Sequence, residues 1–221
     1  LTDTFQMYES DDLISHYMPD NSERRKRQKA TDIRVIVGNP PYSAGQSSSN
    51  DDNANDEYPT LDARIHETYA ARSNTANKRA LYDSYIRAIR WASDRVGNEG
   101  IIAYVTNAGW VDSATTNGMR ACLAEEFSDL YIFHLRGNQR TSGEDSRREG
   151  GKIFGSGSRA PIAISVLVKK ANSKQNGRIH FHDIGDYLSQ VEKLEIIRAF
   201  SSIKGISARN LWTIVEPDTH H

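Results

Sequence analysis

Val35-Ile36-Val37-Gly38-Asn39-Pro40-Pro41-Tyr42 is the stretch from which the rest of the chain can be read. Three β-branched apolar residues in a row predict a strand buried on both faces, the pattern of a parallel sheet. Gly38 ends the strand, and Pro40 and Pro41 then exclude both a ladder and a helix, so the backbone continues extended. An amide side chain, a proline carbonyl and an aromatic ring are thereby presented at the carboxyl end of a strand. Open α/β sheets keep their ligands at that edge.

The residue types suit one chemistry. An exocyclic amine on an aromatic base is a poor nucleophile because its lone pair is delocalised into the ring. The Asn39 carboxamide oxygen and the Pro40 carbonyl can accept its two N–H groups and favour a pyramidal nitrogen. Tyr42 can stack on the ring, and no general base is required. Asn-Pro-Pro-Tyr after a buried strand resembles the catalytic tetrapeptide of amino-methyltransferases acting on planar amino groups. They comprise N6-adenine and N4-cytosine DNA methylases, RNA guanine methylases and the glutamine methylases of release factors. A plain Pro-rich turn would carry the same letters, and the elements that follow favour the catalytic reading.

Composition narrows the remaining choices. A chain of 221 residues can bury a substantial core as one domain. Its net charge of −1 gives no global basic field, so any contact with nucleic acid has to come from local patches. The single Cys122 excludes a disulfide framework or a cysteine-rich zinc site and suits a reducing cytoplasm. No apolar run approaches the length of a membrane span. No repeat is visible, and His220-His221 lack the further ligands a metal site needs.

Taken in order, Leu1 to Phe5 reads like the end of a strand cut from something longer, with Asp3 and Thr4 at its tip. Residues 9 to 31 are polar and helical in pattern, broken near Pro19; the basic run Glu23 to Lys29 could grip phosphates, but reads first as a solvated helix face. Ser43 to Glu57 is a polar loop. A short helix is predicted around Ala63 to Ala71. A long one follows from Asn77 through Leu81, Tyr85, Ile89, Ala92 and Val96, with Arg87, Arg90 and Arg95 on a solvated face.

Ile101 to Thr106 is the second strand, with Asn107 and Trp110 at its carboxyl end. Asp112 or Ser113 can cap a helix burying Met119, Leu123 and Phe127, and Leu130 to Leu135 is the third strand. A Gly- and Arg-rich loop from Arg136 to Arg159 contains Gly155-x-Gly157-x-x-Ala160. Those letters fit a dinucleotide fingerprint, but they precede a strand instead of opening a helix, and the reading is rejected. Pro161 to Lys170 is a strand that should run antiparallel, because a loop without a helix joins it to the third. Gly177 to His182 reads as an edge strand. A helix from Asp186 should bury Leu188, Val191, Leu194, Ile197 and Phe200.

The fold class is therefore α/β. Strands at 33–38, 101–106 and 130–135 are parallel, 162–168 is antiparallel, and the closing hairpin is that of a Rossmann-like methyltransferase sheet. From Asp32 to Lys170 the chain resembles the gamma-class adenine methylase region of type ISP single-polypeptide restriction-modification enzymes. The stretches Asn39–Gln46, Tyr58–Arg72, Leu81–Arg95, Leu135–Ser142 and Glu149–Arg159 carry the likeness.

The resemblance implies S-adenosylmethionine as cofactor, with Asp3 and Thr4 at its adenine. A solvated acid or helix cap would use the same residue type at position 3. It implies Asn39, Pro40, Pro41 and Tyr42 as catalytic residues and Phe154 against the base, although an isolated Phe is ordinarily core. The partners would be double-stranded DNA with a flipped adenine, and nuclease, helicase and target-recognition domains of the same polypeptide; no membrane is involved. Residues 1–171 would be the second half of the methylase, its glycine-rich cofactor loop lying upstream, and 172–221 a helical extension toward the target-recognition domain. Such a fragment alone would bind cofactor weakly or not at all and be inactive. Glutamine or RNA-guanine methylation, and a non-catalytic DNA-binding or coupling module, stay open as alternatives.

Overall fold

The computed structural model describes residues 3–9, 19–41, 57–154 and 159–215. The elements in chain order are α1 (Pro19–Ala30), β1 (Val35–Gly38), α2 (Pro59–Ile65), α3 (Ser84–Arg95), β2 (Gly100–Asn107), α4 (Gly109–Asp112), α5 (Asn117–Glu126) and β3 (Asp129–Arg136). They continue with α6 (Gly143–Glu149), β4 (Ile162–Lys169), β5 (Arg178–Asp183), α7 (Gln190–Phe200), α8 (Ile203–Ala208) and β6 (Thr213–Val215). A π-helical turn, His66–Ala70, prolongs α2, which begins at the proline and not at Ala63.

The strands form one sheet in the order β1-β2-β4-β3-β5-β6. β1 pairs parallel with β2, and β4 lies antiparallel between β2 and β3. The first three strands thus share a direction and the fourth opposes them, as the sequence predicts. The reversal does not depend on a helix-free connection, since α6 lies between β3 and β4. β5 joins β3 in parallel and β6 closes against it antiparallel, so β5 is not the sheet edge. The described residues 172–215 therefore extend the sheet as well as adding helices.

One sheet face, with Ile102, Ile132, Ala163 and Leu167, packs against α2, α3 and α5 in the main core. The other face is covered by α7 and α8 only around Phe133, Leu135 and Ile162. That coverage explains why β1 is not buried on both faces. Val35 is 59% and Val37 75% exposed, because β1 has β2 on one side and no described helix over its outer face.

The long helix expected from Asn77 starts later. A 3-10 turn at Arg79–Tyr82 is broken at Asp83, whose extended backbone and carboxylate then cap α3. Ser113, not Asp112, caps the 3-10 turn leading into α5. Gly118 lets α5 approach the π turn, since a Cβ there would sit 2.3 Å from the Tyr69 carbonyl oxygen. α7 begins at Gln190, where Ser189 and Glu192 form a capping box. Its inward face is rotated from the expected one: Val191 is 63% exposed, and Lys193 is fully buried beside Phe200.

Two basic stretches also depart from solvated faces. Arg90 is 1% exposed and forks between Asp94 (2.7 Å) and Glu126 (2.7 and 2.8 Å). Asp94 in turn accepts from Arg64 and from the Tyr8 hydroxyl (2.6 Å), so four segments meet on two carboxylates. Arg87 grips Asp62 through two 2.8 Å bonds, and Arg95 donates to the Gln28 and Thr31 carbonyls. Within 23–29, Arg25 and Lys29 turn toward the Gln6 and Glu9 carbonyls, whereas Arg24, Lys26 and Arg27 stay exposed.

Candidate active site

β1 delivers Asn39 and Pro40 to the rim of a cavity of about 540 Å³ at the carboxyl edge of the sheet. Its floor is β-strand: Ile36 and Gly38 from β1 and, paired with Gly38, Tyr104 from β2. Burial pushes the Tyr104 phenol up to about 12, so this wall stays uncharged at neutral pH. α3 supplies Ser84, Ala88 and Trp91, spaced i, i+4, i+7 and hence on one helical face.

The remaining wall comes from residues 3–5, which form turns and not the strand end the sequence suggests. Asp3 accepts the Phe5 N–H (2.9 Å) and the Tyr58 hydroxyl (2.7 Å). Further along, the buried Glu9 carboxylate takes the Thr60 and Leu61 N–H groups at the start of α2 (2.9 and 3.1 Å). The segment 3–9 is thus clasped at both ends by residues 58–61, and Asp3 is held on the cavity surface.

Asp3, Thr4, Asn39, Pro40 and Pro41, separated by more than thirty positions in sequence, therefore line one space. Tyr42 lies outside the described residues. Phe154 is not among the cavity's lining residues; it is half-buried against the second core cluster with Phe133 and Phe200. Asn107 uses its side-chain oxygen to cap Gly109 (2.8 Å), and Trp110 is buried under α5, so neither faces the cavity. Tyr58, Ser84, Trp91 and Tyr104 were not singled out from the sequence. The one-face spacing on α3 was the available signal for two of them.

A second cavity, about 240 Å³, lies between Tyr131 and Phe133 of the sheet and the α7–α8 corner. It is mainly apolar, with Ser201 and Ser202 at its lining, and has no residue in common with the first. Among the described residues no cluster of His, Cys, Asp and Glu could hold a metal ion. No described helix is long and apolar enough to cross a membrane.

No protein-family model and no curated protein matches the chain. Solved structures do. A nuclease-deletion mutant of the type ISP restriction-modification enzyme LlaGI, in complex with a DNA substrate mimic, is 50% identical over 99% of this chain, with a TM-score of 0.89. The chain matches a segment of the type ISP restriction-modification enzymes. The ATP-dependent type ISP enzyme LlaBIII bound to DNA is 40% identical over 99% of this chain, with the same TM-score of 0.89. The DrdV–DNA complex follows at 39% identity over 90%, with a TM-score of 0.79. The chain spans 17%, 14% and 19% of these three proteins, so it corresponds to a small part of each.

A planar ring bearing an amine could be held in this cavity. Asp3 offers a carboxylate whose remaining lone pairs can accept an amine N–H, and aromatic walls flank it. Asn39 and Pro40, at the same opening, carry a carboxamide oxygen and a backbone carbonyl that can accept hydrogen bonds.

Proposed function

We propose that this chain forms the catalytic edge of a DNA methyltransferase that modifies adenine N6 with S-adenosylmethionine, within a restriction-modification polypeptide. The observation that carries the reading is the meeting of Asn39 and Pro40 with Asp3 and Thr4 around one cavity. The type ISP relatives, solved on DNA or a mimic of it, support duplex DNA as the partner. The nuclease and the ATP dependence belong to those whole proteins and to parts of a polypeptide outside this segment.

In this reading the adenine leaves the duplex, at a cost of a few kcal/mol. Its two amine hydrogens donate to the Asn39 carboxamide oxygen and the Pro40 carbonyl. The nitrogen lone pair is drawn out of conjugation and directed at the methyl carbon, and the released proton passes to water. Pro41 keeps the tetrapeptide extended and removes a competing backbone donor. S-adenosylmethionine would supply the electrophilic sulfonium methyl, the S–CH3 electron pair staying on sulfur as the neutral thioether leaves, and Asp3 and Thr4 would hold its adenine end. Phe154 packs against the second core cluster and does not line this cavity, so its contact with the base would have to form when the adenine enters.

Asn39→Ala in the complete enzyme tests the assignment. Loss of one such acceptor should lower methyl transfer to adenine by about hundredfold or more while duplex affinity stays near that of the wild type. Robust methylation by the variant would refute the mechanism. Methyl groups found on protein or RNA by the wild-type enzyme, and not on DNA, would refute the substrate.

A further inference from the structure

The Asp3 carboxylate is oriented by a side chain that does not belong to the tetrapeptide or to the N-terminal segment. The Tyr58 hydroxyl donates to one carboxylate oxygen at 2.7 Å, while the Phe5 N–H takes the other at 2.9 Å. Tyr58 is 1% exposed, and its ring is fixed on two sides. Phe5 meets it edge-on at 5.2 Å, and the Arg87 guanidinium lies over it at 5.4 Å. Arg87 is itself locked in the two-bond pair with Asp62. The phenol therefore has little freedom to point elsewhere.

We infer that Tyr58 is a positioning residue, fixing the Asp3 carboxylate so that its free lone pairs face the cavity and accept the exocyclic amine of a purine cofactor. The inference rests on the proposed reading of the cavity. A carboxylate has about four lone-pair positions. Among the described residues the two protein bonds occupy one on each oxygen, which leaves room for an N–H from a ligand. Without the hydroxyl, the carboxylate keeps only its local bond to Phe5 and can rotate off the wall.

The rest of the attachment does not depend on that hydroxyl. Glu9 still caps Thr60 and Leu61, Tyr8 still bonds Asp94, and a phenylalanine ring still fills the space between Phe5 and Arg87. Tyr58→Phe should therefore fold normally, which separates positioning from packing.

The test compares Tyr58→Phe and Asp3→Asn in the complete enzyme, with S-adenosylmethionine affinity from calorimetry read beside the melting temperature. A hydrogen bond to a charged group being lost, Tyr58→Phe should weaken cofactor binding by about tenfold. Its melting temperature should stay close to the wild type, and the defect should fall on KM for the cofactor and not on kcat. Asp3→Asn should weaken binding at least as much. Normal cofactor binding by Asp3→Asn would overturn the reading of Asp3 as a ligand, and this inference with it. Weak binding by Asp3→Asn with normal binding by Tyr58→Phe would leave the reading intact and overturn the role of Tyr58 alone. A lowered melting temperature with unchanged affinity in Tyr58→Phe would likewise make the bond structural.

Discussion

Replacing Arg90 by methionine should destabilise the fold more than any single exposed ion pair would. The guanidinium is 1% exposed and makes three charge-assisted bonds at 2.7–2.8 Å, to Asp94 and to both oxygens of Glu126. It also lies over the Tyr69 ring at 5.2 Å. Methionine fills much of the volume, so the cost lies in the carboxylates left behind. Removing one partner of a buried pair costs about 3–5 kcal/mol. Here the Asp94 and Glu126 side chains keep 21% and 25% exposure, and Asp94 retains Arg64 and Tyr8. Partial hydration places the expected loss at the lower end, about 3 kcal/mol. In a domain of this size that is a fall of about 6–12 °C in melting temperature. Urea unfolding followed by far-UV circular dichroism measures it, and adding Glu126→Gln completes a cycle. With the orphaned charge gone, the double variant should recover part of the loss.

The same experiment has a pH signature. Burial pushes the Asp94 carboxyl up, but Arg90, the Tyr8 hydroxyl and Arg64 together outweigh it and hold the group below its ordinary value. A carboxyl depressed in the folded state stabilises above its unfolded value, and that contribution is lost as pH falls through the folded one. The gap between wild type and Arg90→Met should therefore be full at pH 6–7 and narrow in acid below about pH 4. An Arg90→Met variant within about 1 kcal/mol of wild type, or a double variant showing simple additivity, would refute the buried-network account.

Two further substitutions follow from packing. Lys193 is fully buried, donates to the Glu149 and Gly151 carbonyls, and is pulled down to about 8 by desolvation. A lysine depressed in the folded state binds fewer protons than the unfolded chain above that value, so stability should rise between pH 8 and about 10, and Lys193→Met should flatten the rise in urea midpoints. Gly118→Ala would place a methyl 2.3 Å from the Tyr69 oxygen and 2.6 Å from the Ser73 nitrogen, both backbone atoms. The helix must shift, and a loss of about 1–3 kcal/mol in thermal or urea unfolding is expected.

The strand directions and the strand end that carries Asn39 were legible because both rest on local signals. Runs such as Ile101–Thr106 and Ile162–Val168 read as strands by themselves, and proline after Val37-Gly38-Asn39 ends a strand whatever surrounds it. What failed depended on which face met which neighbour. Val35 and Val37 look like core, but no described element covers their side of β1. In α7 the apolar residues Val191 and Leu194 suggested one face, yet the inward row is Lys193, Ile197 and Phe200, spaced four and three apart. The lysine is tolerated because the carbonyls of Glu149, the last residue of α6, and of Gly151 receive its ammonium, and partners so distant leave no mark near position 193. Of the site, Asn39 and Asp3 were readable as residue types. Their meeting required a tertiary clasp through Glu9 and Tyr58 that no local pattern specifies.

α3 makes clear why a buried charge cluster stands so near this site. Ser84, Ala88 and Trp91 face the cavity, while Arg87, Arg90 and Asp94 occupy the adjoining sides and reach α2, α5 and residue 8. Apolar contacts alone define a helix's rotation weakly, since Leu, Ile and Met side chains can repack after a small turn. Directional bonds do not allow that latitude. The Arg87–Asp62 fork on one side and the Arg90–Glu126 fork on another fix the helix about its axis, and so fix which residues line the cavity. The same Asp94 that receives Arg90 receives Tyr8, within the segment that carries Asp3. Helix rotation and placement of the Asp3 wall are therefore set by one group of charges. If the cavity holds the proposed cofactor, Arg90→Met in the complete enzyme should weaken its binding in calorimetry at temperatures where the fold is still intact.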